Sequence, residues 1–188
     1  MLETLKAWDR ELFLYLNSLG IEQFDVFWIF ITKIESWIPL FLFLTFLVFY
    51  YYKGKQGAIV FGFTLITFSI TLVATDTTKE FVARLRPNNV EAFSGLIRVL
   101  QTPTTYSFFS GHASSSFAIT TFIVLALRQH TKLIYFTYLW PLLFVLSRIY
   151  VGVHYPSDIF IGALVGTAFA ILFYSLCKMV LKRLGEVK

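Results

Sequence analysis

Three short stretches of the chain hold ionisable residues at spacings that could do chemistry. The first is KEFVARLRP, Lys79 to Pro87. Lys79 and Arg86 stand two helical turns apart and so share one helix face, and Pro87 biases Arg86 out of the helical region and ends the helix there. Taken alone, two such cations are well explained as side chains snorkelling toward lipid headgroups. The second is YSFFSGHASSS, in which Ser110 suits an N-cap and Gly111, His112 and Ala113 would form the first turn of a helix. The free N–H groups of such a turn attract anions, although a capping serine beside a wet histidine needs no function. The third is SRIYVGVHYPSDIFIG, Ser147 to Gly162. Arg148 closes one apolar run, His154 lies in the turn, Pro156 suits the first position of a helix, and Asp158 falls within reach of His154. A carboxylate on one ring nitrogen fixes the tautomer and makes the other a better nucleophile or base; a structural histidine–aspartate bond at a helix cap is an equal alternative.

Composition says what must position these groups. The chain of 188 residues is 57% hydrophobic, 19% aromatic and only 14% charged, against about 25% charged in soluble domains. Lipid is therefore the expected solvent, and the length fits one domain, residues 1–188. Glu3, Lys6, Asp9, Arg10 and Glu11 interrupt any secretory-signal pattern. A single cysteine, Cys177, allows no disulfide within the chain. The net charge of +5 has no basic patch with interleaved aromatics, so nucleic acid is not an expected partner. No obligate protein partner is inferred; the lipid bilayer is the expected surrounding.

Residues 4–18 mix apolar and charged positions at helical spacing and read as an interfacial helix. Six apolar segments follow, at 21–36, 37–52, 56–78, 112–128, 132–150 and 157–177, the first short and interrupted by Asp25 and Lys33. The expected fold is all-α and integral to the membrane: a six-transmembrane-helix bundle with an N-terminal interfacial helix. Lys53/Lys55, Arg128/Lys132 and Lys178/Lys182/Arg183 fall on one side of such a bundle, the cytoplasmic side by the positive-inside rule. Lys6 and Arg10 agree if 21–36 crosses, which would leave both termini cytoplasmic. The opposite face receives residues 79–111 and 152–157, and a connection longer than about 12–15 residues is usually functional. Lys79, Arg86, Ser110, His112, Arg148, His154 and Asp158 thus converge outside. Three cations, a hydroxyl and a helix N-terminus suit a dianionic phosphoryl group, and two histidines supply a nucleophile and a general acid.

With these residues in place the chain resembles the type 2 phosphatidic acid phosphatases, which share a site with vanadium haloperoxidases and bacterial acid phosphatases. The family pattern K-x6-R-P, P-S-G-H and S-R-x5-H-x3-D is matched by KEFVARLRP, FSGH and SRIYVGVHYPSD, a core spanning 79–158. The departure is Phe109, where the family has proline. The resemblance implies that His154 attacks phosphorus, oriented by Asp158, and forms a phosphohistidine. It implies that His112 protonates the leaving oxygen and later activates water, while Lys79, Arg86, Arg148, Ser110 and Gly111 hold the phosphate oxygens. It implies no metal and no cofactor. A membrane lipid phosphate or diphosphate is the implied substrate, undecaprenyl diphosphate first, with phosphatidylglycerophosphate, phosphatidate and lipid A phosphates as rivals. The implied setting is a bacterial inner membrane with the site facing the periplasm or outside. Loop 88–108, with Asn88, Asn89, Glu91, Arg98 and Tyr106, is expected to select the substrate. A lipid-phosphate transporter without turnover is the alternative of another class, disfavoured by His112, His154 and Asp158.

Overall fold

The computed structural model describes residues 1–185. All regular structure among them is helical: α1 (Leu2–Ser18), α2 (Asp25–Ile31), α3 (Ile38–Tyr51), α4 (Lys55–Val82), α5 (Gly111–Leu127), α6 (Leu139–Tyr150) and α7 (Pro156–Arg183), joined by loops and short 3-10 turns. Four stretches are long and apolar enough to cross a membrane, Ile34–Tyr51, Lys55–Phe93, Lys132–Tyr150 and Pro156–Arg183, and α5 is a shorter apolar helix.

The centre of the bundle is α5, packed on α7 and α4. Lipid provides no hydrophobic force between helices, so close packing of small residues has to hold them. Asp158, Gly162, Gly166 and Ala170 recur every fourth residue of α7, and all are buried. A Cβ at Gly166 would run into the Ser114 carbonyl oxygen and stand 2.9 Å from the Ser114 carbonyl carbon and 3.0 Å from the Ala118 nitrogen. At Gly162 it would stand 2.7 Å from the Ser110 carbonyl oxygen. The two backbones therefore touch, and they do so beside the first turn of α5. On the other side α4 presents Thr64, Thr67, Thr71 and Thr75, each hydroxyl donating to the carbonyl four residues back. Those bonds satisfy the polar atoms in a dry interface, and Thr75 and Ser114 hydroxyls meet across it at 2.8 Å.

The three cationic clusters gather at one end of the bundle. There Tyr51 stacks on His130 at 4.8 Å, and Tyr52 donates to the Ala126 carbonyl at 2.8 Å. A cavity of about 200 Å³ there is lined by Tyr52, Gln129, Lys178 and Lys182, among others. The 83–110 connection and the 151–155 turn lie at the opposite end.

Segment 21–36 departs from expectation. It breaks into a 3-10 turn, the seven-residue α2 and a second 3-10 turn, with Lys33 extended between the last two. A helix of that length covers roughly 10 Å, far short of a bilayer core near 30 Å. Asp25 explains the failure: it pairs with Arg98 and accepts from the Tyr150 hydroxyl at 2.9 Å, which ties α2 to the loop end.

As a consequence α1 lies across that same end. Asn17 donates to the carbonyls of Arg98, Ile149 and Tyr150, Asp9 bonds Arg84 and Ser157, and Phe13 is buried with Phe93, Ile149 and Tyr155. The N-terminal helix and the C-terminal end of α7 therefore occupy opposite ends of the bundle, not one shared face as expected. Leu5, Trp8, Leu12, Tyr15 and Leu19 form an exposed apolar stripe along α1.

Candidate active site

Helix α4 ends because Ala83 takes a left-handed conformation, φ 50°, with its N–H closing on the Lys79 carbonyl at 2.9 Å. The chain then leaves the helix axis, and Arg84 and Arg86 turn to different partners. Lys79, in the last turn of α4, brings Nζ 3.5 Å from where a Cβ on Gly111 would stand, and 3.5 Å from the carboxylate of exposed Asp76. The first turn of α5 is thus adjacent to a lysine ammonium. Ser110 caps that turn: its side chain accepts from Ala113 N–H at 3.4 Å, and its own N–H donates to the Asp158 carbonyl at 3.0 Å. His112 lays its ring on Phe144, 4.6 Å between centroids, and hydrogen-bonds the Thr32 backbone.

The geometry around His154 fixes its tautomer. Arg86 Nη1 lies 3.0 Å from His154 Nε2. A guanidinium has donors only, so Nε2 must present its lone pair. The ring proton then sits on Nδ1, which faces Asp158 Oδ2 at 3.4 Å. The same oxygen accepts from Tyr155 N–H at 3.0 Å, and Oδ1 accepts from Arg84 Nη1 at 2.7 Å. Arg86 is itself braced by the Thr105 carbonyl at 2.6 Å, the Thr105 hydroxyl at 3.0 Å and the Val153 carbonyl at 3.1 Å.

His154 is 1% exposed. Burial, and then the charges of Arg86, Arg148, Lys79 and Arg84, hold its pKa well below the usual histidine range. At neutral pH it is an uncharged imidazole with a free-pair nitrogen aimed at a cluster of cations. Arg148, also buried, donates through Nη1 to the Thr32 hydroxyl and to Gln101 Oε1 at 2.8 Å, while its Nε has no partner. A buried guanidinium N–H left unpaired is costly, and an anion in the site would satisfy it.

All eight residues singled out from the sequence, Lys79, Arg86, Ser110, Gly111, His112, Arg148, His154 and Asp158, lie at this end of the bundle around the α5 N-terminus. Phe109 is buried, with its ring 6.0 Å from Phe108. Five neighbours were not anticipated from the sequence: Asp9, Thr32, Arg84, Gln101 and Thr105. Arg84 had a signal, being a cation inside the K-x6-R-P spacer; the other four carry none. Arg98, expected to help select substrate, is instead bound to Asp25, the Gly20 carbonyl and Asn17. Among the described residues no group of three or more His, Cys, Asp or Glu side chains is arranged to hold a metal ion.

The likeness to known proteins covers the same residues. A relative from Bacteroides thetaiotaomicron, lipid A 4'-phosphatase, is 28% identical over 98% of this chain and 83% of its own length. An undecaprenyl-diphosphatase from Sulfolobus acidocaldarius is 31% identical over 86% of this chain and 74% of its own. The fold is that of a PAP2-type phosphatidylglycerolphosphate phosphatase from Bacillus subtilis, with TM-score 0.75 at 20% identity, covering 94% of this chain and 88% of that one. Residues 57–181, which hold all eight residues singled out from the sequence together with Arg84, Gln101 and Thr105, match the PAP2 superfamily. The chain belongs to that superfamily and is a phosphatase of the membrane lipid phosphatase type.

Proposed function

We propose that this chain hydrolyses the phosphate of a membrane lipid through a phosphohistidine on His154. The observation that carries the reading is the line Arg86–His154–Asp158, which keeps the ring proton off Nε2 and puts a carboxylate behind Nδ1. A phosphoryl group entering beside Lys79, Arg148 Nε and the Gly111 N–H draws Arg86 from Nε2 to a phosphate oxygen and frees the nucleophile. Nε2 bonds to phosphorus as the bond to the lipid oxygen breaks, and His112 delivers a proton to that oxygen. The positive charge left on the His154 ring is balanced by Asp158. The cations, the Ser110 hydroxyl and the free N–H groups of α5 stabilise the oxygens of the five-coordinate state. Water activated by His112 then attacks the phosphohistidine, releases inorganic phosphate and restores both histidines.

The cationic ends at 53–55, 128–132 and 178–183 support a cytoplasmic assignment for that side and an outward-facing site, in a bacterial inner membrane. On this reading five apolar helices cross the membrane: the run Ile34–Tyr51, α4, α5, Lys132–Tyr150 and α7. Helix α1 lies in the outer interface on its exposed stripe of Leu5, Trp8, Leu12, Tyr15 and Leu19. The near full-length alignment with the Bacteroides relative favours a lipid A phosphate monoester as substrate, ahead of the undecaprenyl diphosphate expected first. The diphosphate stays as the second reading on the strength of the Sulfolobus relative. Phosphate release from purified lipid A phosphate, undecaprenyl diphosphate, phosphatidylglycerophosphate and phosphatidate in detergent tests this. Turnover of at least one, abolished in His154→Ala, is expected; no release from any of them contradicts it.

A further inference from the structure

The best-connected group near the site is one that the reaction above does not use. Arg84 sits in the spacer between Lys79 and Arg86, just past the left-handed turn at Ala83. Its Nη1 donates to Asp158 Oδ1 at 2.7 Å and to the Ser157 hydroxyl at 2.8 Å, and its Nη2 donates to Asp9 Oδ2 at 2.7 Å. The guanidinium carbon lies 3.8 Å from the centre of the Tyr155 ring. Asp9 closes the network by accepting from Ser157 N–H at 2.9 Å and from the Ser157 hydroxyl at 2.5 Å. These contacts join residues of α1, the segment after α4 and the start of α7.

We propose that Arg84 and Asp9 are positioning residues: Arg84 fixes the Asp158 carboxylate that orients His154, and Asp9 fixes Arg84, which makes the N-terminal helix part of the active-site scaffold. The inference rests on His154 being the nucleophile. Asp158 is 0% exposed, so Oδ1 takes its partner from the protein, and that partner is Arg84. Its Oδ2 is already shared between Tyr155 N–H and His154. Arg84, together with the buried Ser107 hydroxyl, determines how the carboxylate is rotated about that shared oxygen, and Arg84 is the charged member of the two. Both terminal nitrogens of Arg84 point toward Asp158, Ser157 and Asp9, whereas Arg86 Nη1 reaches His154 and Arg148 Nε is left open. The geometry therefore argues against a fourth cation on the phosphate. A charged pair with several hydrogen bonds keeps its geometry far better than a lone ion pair, and Asp9, at 11% side-chain exposure, is sheltered enough to act as such an anchor.

The prediction extends to pH dependence, because the groups facing His154 are Lys79 of α4, Arg84 and Arg86 after it, His112 of α5, Arg148 of α6 and Asp158 of α7. Removing the Arg84 charge takes one cation from this set and leaves the negative charge of Asp158 less offset. His154 then gains a proton more easily, and the acid limb of kcat/KM moves to higher pH.

The test compares Arg84→Gln, Arg84→Lys, Asp9→Asn and the Asp9→Asn/Arg84→Gln pair, each as the full chain purified in detergent. The probe is whichever lipid phosphate of the panel above the wild type turns over fastest, with vanadate inhibition read alongside. Arg84→Gln should lower kcat by about 10- to 100-fold, the cost of a misplaced reacting group, with KM and vanadate inhibition nearly unchanged and the acid limb raised. Arg84→Lys should recover part of kcat. Asp9→Asn should lower kcat by less and, because it removes an anion and leaves the Arg84 charge less offset, should not raise the acid limb; the double variant should be no slower than Arg84→Gln. A rise in KM at unchanged kcat would place Arg84 on the substrate and overturn the proposal; so would an acid limb that stays put in Arg84→Gln. If Arg84→Gln does not fold, Asp9→Asn decides by the split between kcat and KM: a lower kcat at unchanged KM supports the proposal, and a raised KM or an unchanged kcat overturns it. His154→Ala keeps the two ideas apart: turnover in that variant defeats the phosphohistidine reading itself, whereas silent Arg84 and Asp9 variants beside a dead His154→Ala defeat only this one.

Discussion

Gly166→Ala puts the smallest possible side chain where α7 meets α5. The added carbon would collide with the Ser114 carbonyl oxygen and stand 2.9 Å and 3.0 Å from two further backbone atoms, where ordinary contact begins at 3.4 Å. Backbone cannot rotate away as a side chain can, so the helices must separate by at least about half an ångström in a close-packed interior. Overpacking of this kind costs about 1–3 kcal/mol, offset by about 1 kcal/mol from the better helix propensity of alanine. The larger effect falls on turnover. Ser114 lies one turn from Ser110 and two residues from His112, and α7 begins at Pro156 beside His154, so the displacement opens the gap between the two histidines. With about 100-fold lost per ångström of misplacement, roughly tenfold in kcat is expected. The assay is phosphate release alongside thermal melting in one detergent. Gly62→Ala on α4 is the control, because a Cβ there meets nothing within 4 Å; it should keep wild-type turnover and melt no lower. Wild-type kcat in Gly166→Ala, or equal damage from Gly62→Ala, would refute the idea that this contact sets the histidine geometry.

Three further outcomes are expected. Asp158→Asn should lower kcat by about 100- to 10,000-fold with little change in KM, by analogy with the loss when a carboxylate stops holding its histidine in the right tautomer; steady-state kinetics decide. His154 titrates below its ordinary value of 6.5, so below that pH the unfolded chain binds a proton that the folded one refuses. The sign makes stability full above about pH 6.5 and falling as pH drops toward the folded value, and His154→Gln should flatten that slope in melting curves. Turnover should survive EDTA and be blocked by vanadate, which mimics five-coordinate phosphorus; loss on chelation would point to a metal-dependent reaction.

Much of the site was legible because its pieces are local. Ser110 caps the helix it begins and His154 and Asp158 lie four residues apart, so short-range spacing carries both. Lys79 and Arg86 do not share the helix face expected of them, because α4 stops at Val82 on the left-handed Ala83 and Arg86 is extended; they meet at the site through that turn instead. The gathering of the three cationic clusters at one end was legible for a similar reason, since an apolar run that crosses alternates its ends. What could not be read was where α1 would dock. That depended on segment 21–36 failing to span, and on Asp25 finding Arg98, 73 residues away. Apolar composition alone makes 21–36 resemble a short span; only the Asp25–Arg98 pair and the extended Lys33 show that it turns back. Asp9 was legible as a charge on an interfacial helix, but its partners Arg84 and Ser157 lie 75 and 148 residues along the chain. The anion that Arg98 pairs with was equally illegible, since nothing local in a long loop announces a partner 73 residues away.

The most direct measurement is to trap the intermediate. Purified protein is quenched during turnover of a lipid carrying a radiolabelled phosphate, and label on the protein is followed through acid and base. With His154 as nucleophile, the wild type carries an acid-labile, base-stable phosphoryl group that maps to the peptide holding His154. His154→Ala should carry none and release no phosphate. Label that persists in His154→Ala, or turnover in that variant, would contradict the assignment.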